Sequence, residues 1–190
     1  MTPSQIASDG SAPGTALDSG LKWTGVIFSL QRGLEALTPP ASAPPDSATA
    51  VTAISSLSNY AASYYSPNLG QAATSHAFAI LNGTFLDLGG LLPQSASSRA
   101  NSINAHGQIT GWYRDAATGA AKPFLYSGNM IADISALVSP TDLNGFYITA
   151  LGQINDNGWI TAYGKRSGTN EFHAFLLIPT PNLCSYITCP

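Results

Sequence analysis

Charge is scarce in this chain. Only 9% of its 190 residues are charged, against roughly 25% in an average soluble domain. With two glutamates and three lysines, a helical fold would lack the i,i+4 ion pairs that solvate exposed helix faces. Seven basic against ten acidic residues give a net charge of −3, which argues against a nucleic-acid partner and against a polybasic membrane patch. No apolar run reaches the roughly 18 residues that a helix needs to span a membrane. The only two cysteines, Cys184 and Cys189, stand together in the tail. Bridged, they would close a short disulfide loop in an oxidising compartment; otherwise they are two terminal thiols. Zinc is not expected, because no second ligand pair stands at metal spacing. Also missing are a Gly-x-Ser-x-Gly elbow, His-Glu-x-x-His, a phosphate-cradling Gly-Lys-Ser/Thr and a Gly-x-Gly-x-x-Gly after a strand. Enzymes whose sites assemble from distant loops survive that exclusion.

What is present argues for folding. Hydrophobic residues make up 44% of the chain, the reverse of the disorder signature, and the length suits one domain with its own core. Eighteen glycines and thirteen prolines imply many turns, so an all-β chain fits best. Residues 1–20, rich in Ser, Gly, Ala and Pro, predict a flexible N-terminal segment. A single β-repeat domain is expected over 21–181, with a tail at 182–190.

Two motifs repeat. Ile103-Asn104-Ala105-His106-Gly107-Gln108-Ile109-Thr110-Gly111 aligns with Ile154-Asn155-Asp156-Asn157-Gly158-Trp159-Ile160-Thr161-Ala162, and more faintly with the segment starting at Ile54. Between them recur His76-Ala77-Phe78, Lys122-Pro123-Phe124 and His173-Ala174-Phe175, with Val26-Ile27-Phe28 as an earlier copy. Both motifs keep a period of about 50 residues. Turn dipeptides follow at fixed offsets: Arg32-Gly33, Asn82-Gly83 and Gly128-Asn129 after the phenylalanine, His106-Gly107 and Asn157-Gly158 after the isoleucine. Such pairs suit two-residue type I′ hairpin loops, which need positive φ at both positions. Each period therefore predicts two hairpins, four short strands, and gives His106 a backbone role.

These segments, with Asp87-Leu88-Gly89 between them, resemble the HAF repeat of bacterial extracellular proteins over roughly residues 25–178. The first copy departs, having no histidine, and the third carries Lys122 in its place. The resemblance implies an exported, β-rich repeat protein and no particular reaction. A surface poor in Lys and Glu fits an extracellular or periplasmic location, with any signal peptide, absent from Met1–Gly20, already removed. About three four-stranded repeats predict propeller-like blades; a pseudo-threefold barrel or β-trefoil is the alternative.

Candidate site residues follow from the repeats. His76 and His173 hold equivalent positions: either each imidazole locks its blade by bonding a backbone carbonyl, or they surround a central opening as metal ligands or general bases. Asp87 and Asp133 either cap turns or add carboxylates to that site. Asp142, Asn144, Asn155 and Asp156 offer oxygens that suit Ca²⁺, although hairpin turns explain them more simply. Asn82-Gly83-Thr84 is formally a glycosylation sequon but reads more simply as a type I′ turn. Trp112, Tyr113, Trp159 and Tyr163 are stacking surfaces if exposed and sheet core if buried. Two functions fit these features. One is an exported module that binds a carbohydrate, a small ligand or a protein. The other is a small secreted hydrolase acting on an ester, lactone or glycoside with help from Ca²⁺ or another metal. A third role, self-association through an open sheet edge, follows from any repeat array that does not close.

Overall fold

The computed structural model describes residues 5–17, 19–20, 22–56, 58–66, 74–139 and 141–180. Cys184 and Cys189, and the disulfide they suggest, lie outside the described residues. Within them, fourteen strands form four separate antiparallel sheets, each a meander in chain order. The first holds β1 (Ala12–Leu17), β2 (Trp23–Ser29) and β3 (Gly33–Ala36). The second holds β4 (Ala48–Ser56), β5 (Asn59–Tyr65), β6 (Ser75–Leu81) and β7 (Thr84–Leu86). The third holds β8 (Ser95–Ile103), β9 (Ile109–Asp115), β10 (Ala121–Ser127) and β11 (Met130–Asp133). The fourth holds β12 (Phe146–Ile154), β13 (Ile160–Arg166) and β14 (Phe172–Leu177). A short helix, α1 (Leu88–Leu91), and a 3-10 turn, Ile134–Ala136, follow β7 and β11. The all-β, blade-like expectation holds. The threefold barrel does not, because the strands divide into four sheets that do not pair with one another.

The N-terminal boundary differs from the sequence reading. The segment expected to be a flexible end supplies β1, which pairs with β2 from Ala12↔Phe28 to Leu17↔Trp23. Ahead of it, Ala7 N donates to Ser11 O and Gly10 N to Ala7 O. Asn104 with Gln108 and Gly107, and Asn155 with Trp159 and Gly158, repeat that pattern. Ile6–Ser11 is thus a further copy of the isoleucine loop, hidden because Ala7 stands where Asn104 and Asn155 do.

Turn lengths also differ. Asn82-Gly83 and Gly128-Asn129 have positive φ at both positions, as type I′ loops require. Arg32-Gly33 does not: Ser29 pairs with Gly33, leaving Leu30–Arg32 as a three-residue loop with no positive φ, and Gly33, the first residue of β3, takes the positive φ instead. Aligned by strand pairing, the first sheet is offset by two residues from the sequence alignment. Val26, opposite Gly14, takes the place that Phe124 holds opposite Gly111; Val26 is buried and Phe28 is exposed. The isoleucine loops are longer still, since Ile103 pairs with Ile109. Here asparagine does the bonding: Asn104 Oδ1 accepts from His106 N (3.1 Å) and Gln108 N (3.0 Å), and Asn155 Oδ1 from Asn157 N and Trp159 N. His106 is exposed at the tip.

Packing runs from sheet to sheet. β4 lies on β1 and β2, β8 on β4, β5 and β6, and β12 on β8, β9 and β10. Small residues beneath large ones let the sheets close up: Phe124 is fully buried with its ring over Gly111, where a Cβ would stand 2.4 Å from the ring. Polar groups tie the third sheet to the fourth. Asn101 Nδ2 donates to Leu151 O, Thr110 Oγ1 to Gly152 O, Asn104 Nδ2 to Asn155 O, and Ala105 N to Asp156 Oδ1.

Asp115 and Lys122, on the strands that flank the β9–β10 loop, form an ion pair with Nζ 3.0 Å from Oδ2. Hydrogen bonds from the Thr118 backbone N–H first, then from Lys122 and the Thr118 hydroxyl, lower the Asp115 carboxyl from 3.8 to about 2. A depressed carboxyl adds stability that is complete above its unfolded value and lost as pH falls through the folded one. The melting temperature of Asp115→Asn should therefore change less than wild type's between about pH 4 and pH 2. Thermal melts at matched ionic strength check this; parallel curves for the two proteins would refute it.

Candidate functional site

His76, on β6, is hydrogen-bonded through Nε2 to Asp87 Oδ1 and stacks on Tyr64 with ring centroids 4.8 Å apart. Asp87 also caps α1, accepting from Gly90 N at 2.8 Å. Gly89 lies so close to the imidazole that a Cβ there would overlap it. The histidine therefore fastens β6 to the turn after β7, through a carboxylate rather than the backbone carbonyl expected. Asp133 plays the matching capping part at the 3-10 turn, accepting from Ser135 N at 2.9 Å. Both aspartates are caps, as one of their two readings had it.

His173 sits apart. On β14 it stacks on Phe146 (4.5 Å between centroids) and lies 3.1 Å from Glu171 Oε1. The Arg166 guanidinium, which also donates to Glu171 at 2.6 Å, is the largest cause of that carboxyl's depressed pKa. His76 and His173 belong to the second and fourth sheets with the third between them. Both lie on third strands, whereas the loops that converge on an opening join the first strands to the second. Ile6, Ile54, Ile103 and Ile154 of those loops line a cavity of 260 Å³. The structure does not bring His76, His173, Asp87 and Asp133 into one site. Among the described residues, no three His, Cys, Asp or Glu side chains group as a metal site.

The oxygen-rich turns are also separate. Asp142 and Asn144 precede β12, and Asn155 and Asp156 follow it. A nine-residue strand puts the pairs roughly 30 Å apart, at about 3.3 Å per residue, too far to share an ion. Their oxygens serve local structure: Asn144 O accepts from Arg166 Nη1, and Asp156 Oδ1 from Ala105 N.

The four aromatics do not share a groove. Trp112 and Tyr113 are neighbours on β9 and point to opposite faces. Tyr113 is buried, with Lys122 Nζ 6.0 Å from its ring centre; Trp112 is half-buried. Only Trp159 and Tyr163, on the fourth sheet, are exposed.

The cavity that sequence reasoning missed lies between the third and fourth sheets. It measures about 500 Å³ and is walled by Leu125, Ile134, Leu137, Leu143, Ile160 and Phe175. Ile178, Pro179 and Thr180 close one side, and Ser139 and Asp142 add polar groups. Between the second and third sheets the corresponding space is filled by α1, whose Leu88 and following Leu92 are buried against Phe124 and Tyr126. After β11 a three-residue 3-10 turn replaces that helix. The signal was the change from Leu88-Gly89-Gly90-Leu91-Leu92 to Ile134-Ser135-Ala136-Leu137-Val138. A second hollow, 660 Å³ and more open, lies between the first two sheets beside Leu37, Tyr60 and Phe78.

No known protein family and no curated protein matches the chain. Among solved structures, the chain is similar to the β-propeller domain of the trilobed protease from Pyrococcus furiosus, a propeller described as having an open velcro topology. The two are 12% identical with a TM-score of 0.54, and the match covers 90% of this chain and 51% of that one. The chain thus spans about half the length of the structure it resembles. At this identity the likeness concerns the fold alone: four consecutive antiparallel sheets in a propeller arrangement.

Proposed function

We propose that the protein is an exported, HAF-type β-repeat module that binds a small apolar ligand in the cleft between its third and fourth sheets. The carrying observation is the cleft itself. Its 500 Å³ falls within the roughly 300–1,000 Å³ of small-molecule sites, and such sites are mostly apolar with a few polar groups to orient the ligand. Leu125, Ile134, Leu143 and Phe175 supply the apolar wall; Ser139, Asp142 and Thr180 supply hydroxyl, carboxylate and backbone groups. A sugar would find few partners there, which favours an acyl-like or cyclic hydrocarbon ligand over the carbohydrate otherwise expected. The motifs from His76 to Phe175 support the HAF kinship, and the shortage of Lys and Glu supports export.

Titration with medium-chain fatty acids, fluorescent apolar probes and a panel of oligosaccharides tests this reading. Leu137→Trp, which fills the half-buried wall, should weaken apolar binding at least about tenfold, or 1.4 kcal/mol, with the β-type circular dichroism unchanged. Binding of sugars alone, or apolar binding indifferent to Leu137→Trp, would remove the cleft from consideration.

The hydrolase reading keeps one specific support, the His76–Asp87 pair, in which a carboxylate orients an imidazole as it does in general-base sites. Ester, lactone and glycoside turnover, measured with Ca²⁺ and with chelator, decides it. Turnover lost in His76→Ala while the fold survives would replace the binding reading with an enzymatic one.

A further inference from the structure

The cleft between the third and fourth sheets carries charge of one sign only. Among its lining residues Asp142 is the one with a titratable side chain, and no lysine, arginine or histidine stands there. Ser139 and Thr180 are polar but uncharged. Asp142 lies at the mouth: it is exposed, whereas its neighbour Leu143 is buried in the wall. The turn from Ser139 to Asp142, in which Asp142 N donates to Ser139 O at 3.1 Å, fixes that position.

Other carboxylates of the chain serve its own structure. Asp87, Asp115, Asp133, Asp156 and Glu171 each accept a hydrogen bond from a neighbouring group. The Asp142 carboxylate, among the described residues, takes part in no such bond and in no ion pair. It has no task in the fold, and it sits at the rim of an apolar hollow that holds no cation. Its charge is therefore left to act on whatever enters.

We infer that the cleft takes ligands with an apolar body and a cationic head, of the alkylammonium class, and that Asp142 sets this preference. The inference rests on the cleft being the binding site and adds the charge of what it binds. With its body against Leu125, Ile134 and Phe175, such a ligand leaves its head at the mouth, where the ammonium meets the carboxylate. Water reaches that pair, so its strength is that of an exposed ion pair. It governs the choice between ligands more than the affinity of any one. An anionic head would stand beside Asp142 with no cation in the lining to offset the repulsion, which selects against it. A neutral alcohol falls between the two.

Decylamine, decanol and decanoate share a chain length and differ in head group. The titrations are run at neutral pH and low ionic strength, with chelator present so that no metal ion bridges two carboxylates. The three should bind in the order given, each step at least about threefold in dissociation constant. Asp142→Asn should bring the amine and the acid to within about twofold of each other, and Asp142→Lys should reverse their order. Asp46→Asn makes the same change of charge at an exposed position before β4. It should leave the order as in wild type, which separates a local effect from that of the net charge of −3. Salt at about 1 M, which screens beyond roughly 3 Å, should compress the differences. Decanoate binding as tightly as decylamine, or an order that Asp142→Asn leaves unchanged, overturns the inference. The cleft itself survives that result as long as decanol binding still responds to Leu137→Trp. Decanol that fails to bind, or binds without responding to Leu137→Trp, removes the cleft and this inference together.

Discussion

Phe124→Ala should destabilise the protein by about 3–5 kcal/mol, the usual cost of emptying a fully buried aromatic site. Phe124 is 0% exposed and belongs to one core cluster with Leu88 of α1, Ile103, Ile109 and Tyr126 of the third sheet, and Ala61, Ala77 and Ala79 of the second. Its ring rests on Gly111, where even a methyl group would overlap it and the Arg99 carbonyl oxygen. That backbone is held by β8 and β10 on either side, so it cannot move in to fill the void. Urea unfolding followed by tyrosine and tryptophan fluorescence reads the loss directly. A cost below about 1.5 kcal/mol would mean that the two sheets close over the gap, and that their packing is looser than this burial indicates.

Asn104→Ala should cost about 2–4 kcal/mol, and Asn155→Ala only about 1. The two asparagines occupy the same place in the same loop and accept from the same two backbone N–H groups. Their surroundings differ. Asn104 is buried and donates through Nδ2 to Gln108 Oε1 at 2.6 Å and Asn155 O at 2.9 Å, because the fourth sheet lies over it. Asn155 stands on the last sheet and is exposed, so water can replace what its side chain provided. Removing Asn104 instead strands buried donors, which carries the full desolvation penalty. Paired denaturation curves for the two variants check this. Equal losses would show that the loop bonds matter and the covering sheet does not.

The contrast explains why parts of this molecule were legible in the sequence and others were not. Period, strand number per period and hairpin order follow from the placement of Ile54, Ile103 and Ile154 and of Phe78, Phe124 and Phe175. Asn82-Gly83 and Gly128-Asn129 announce their turn type by chemistry alone. The first sheet was obscured because its repeat phenylalanine, Phe28, stands two residues beyond Val26, which holds the register position of Phe124. Ala12–Leu17 gives no strand signal either, since it reads Ala-Pro-Gly-Thr-Ala-Leu and is specified by pairing with β2 rather than by its own pattern. The site was less legible than the fold. Repeated histidines and aspartates attract notice by recurring, but recurrence is also what blade-locking and capping residues show. His76 and Asp87 serve one turn together, and Asp133 serves another without a histidine. The cleft arises where a repeat changes, at Ile134–Val138, and a search for what is shared passes over it.

The stacking of each sheet on the one before it has a consequence for how the molecule comes apart. Because the main packing runs between successive sheets, stability is close to a sum of unit terms and nearest-neighbour couplings, as in a one-dimensional lattice. Among the described residues, the second and third sheets each pack on two neighbours, while the first and fourth pack on one and have three strands rather than four. Native-state opening should therefore be graded, with the end units fraying independently while the middle pair exchanges its amides only through global unfolding. The same arithmetic makes copy number a free parameter. Inserting or deleting one period of sequence adds or removes one coupling and leaves the remaining interfaces as they are.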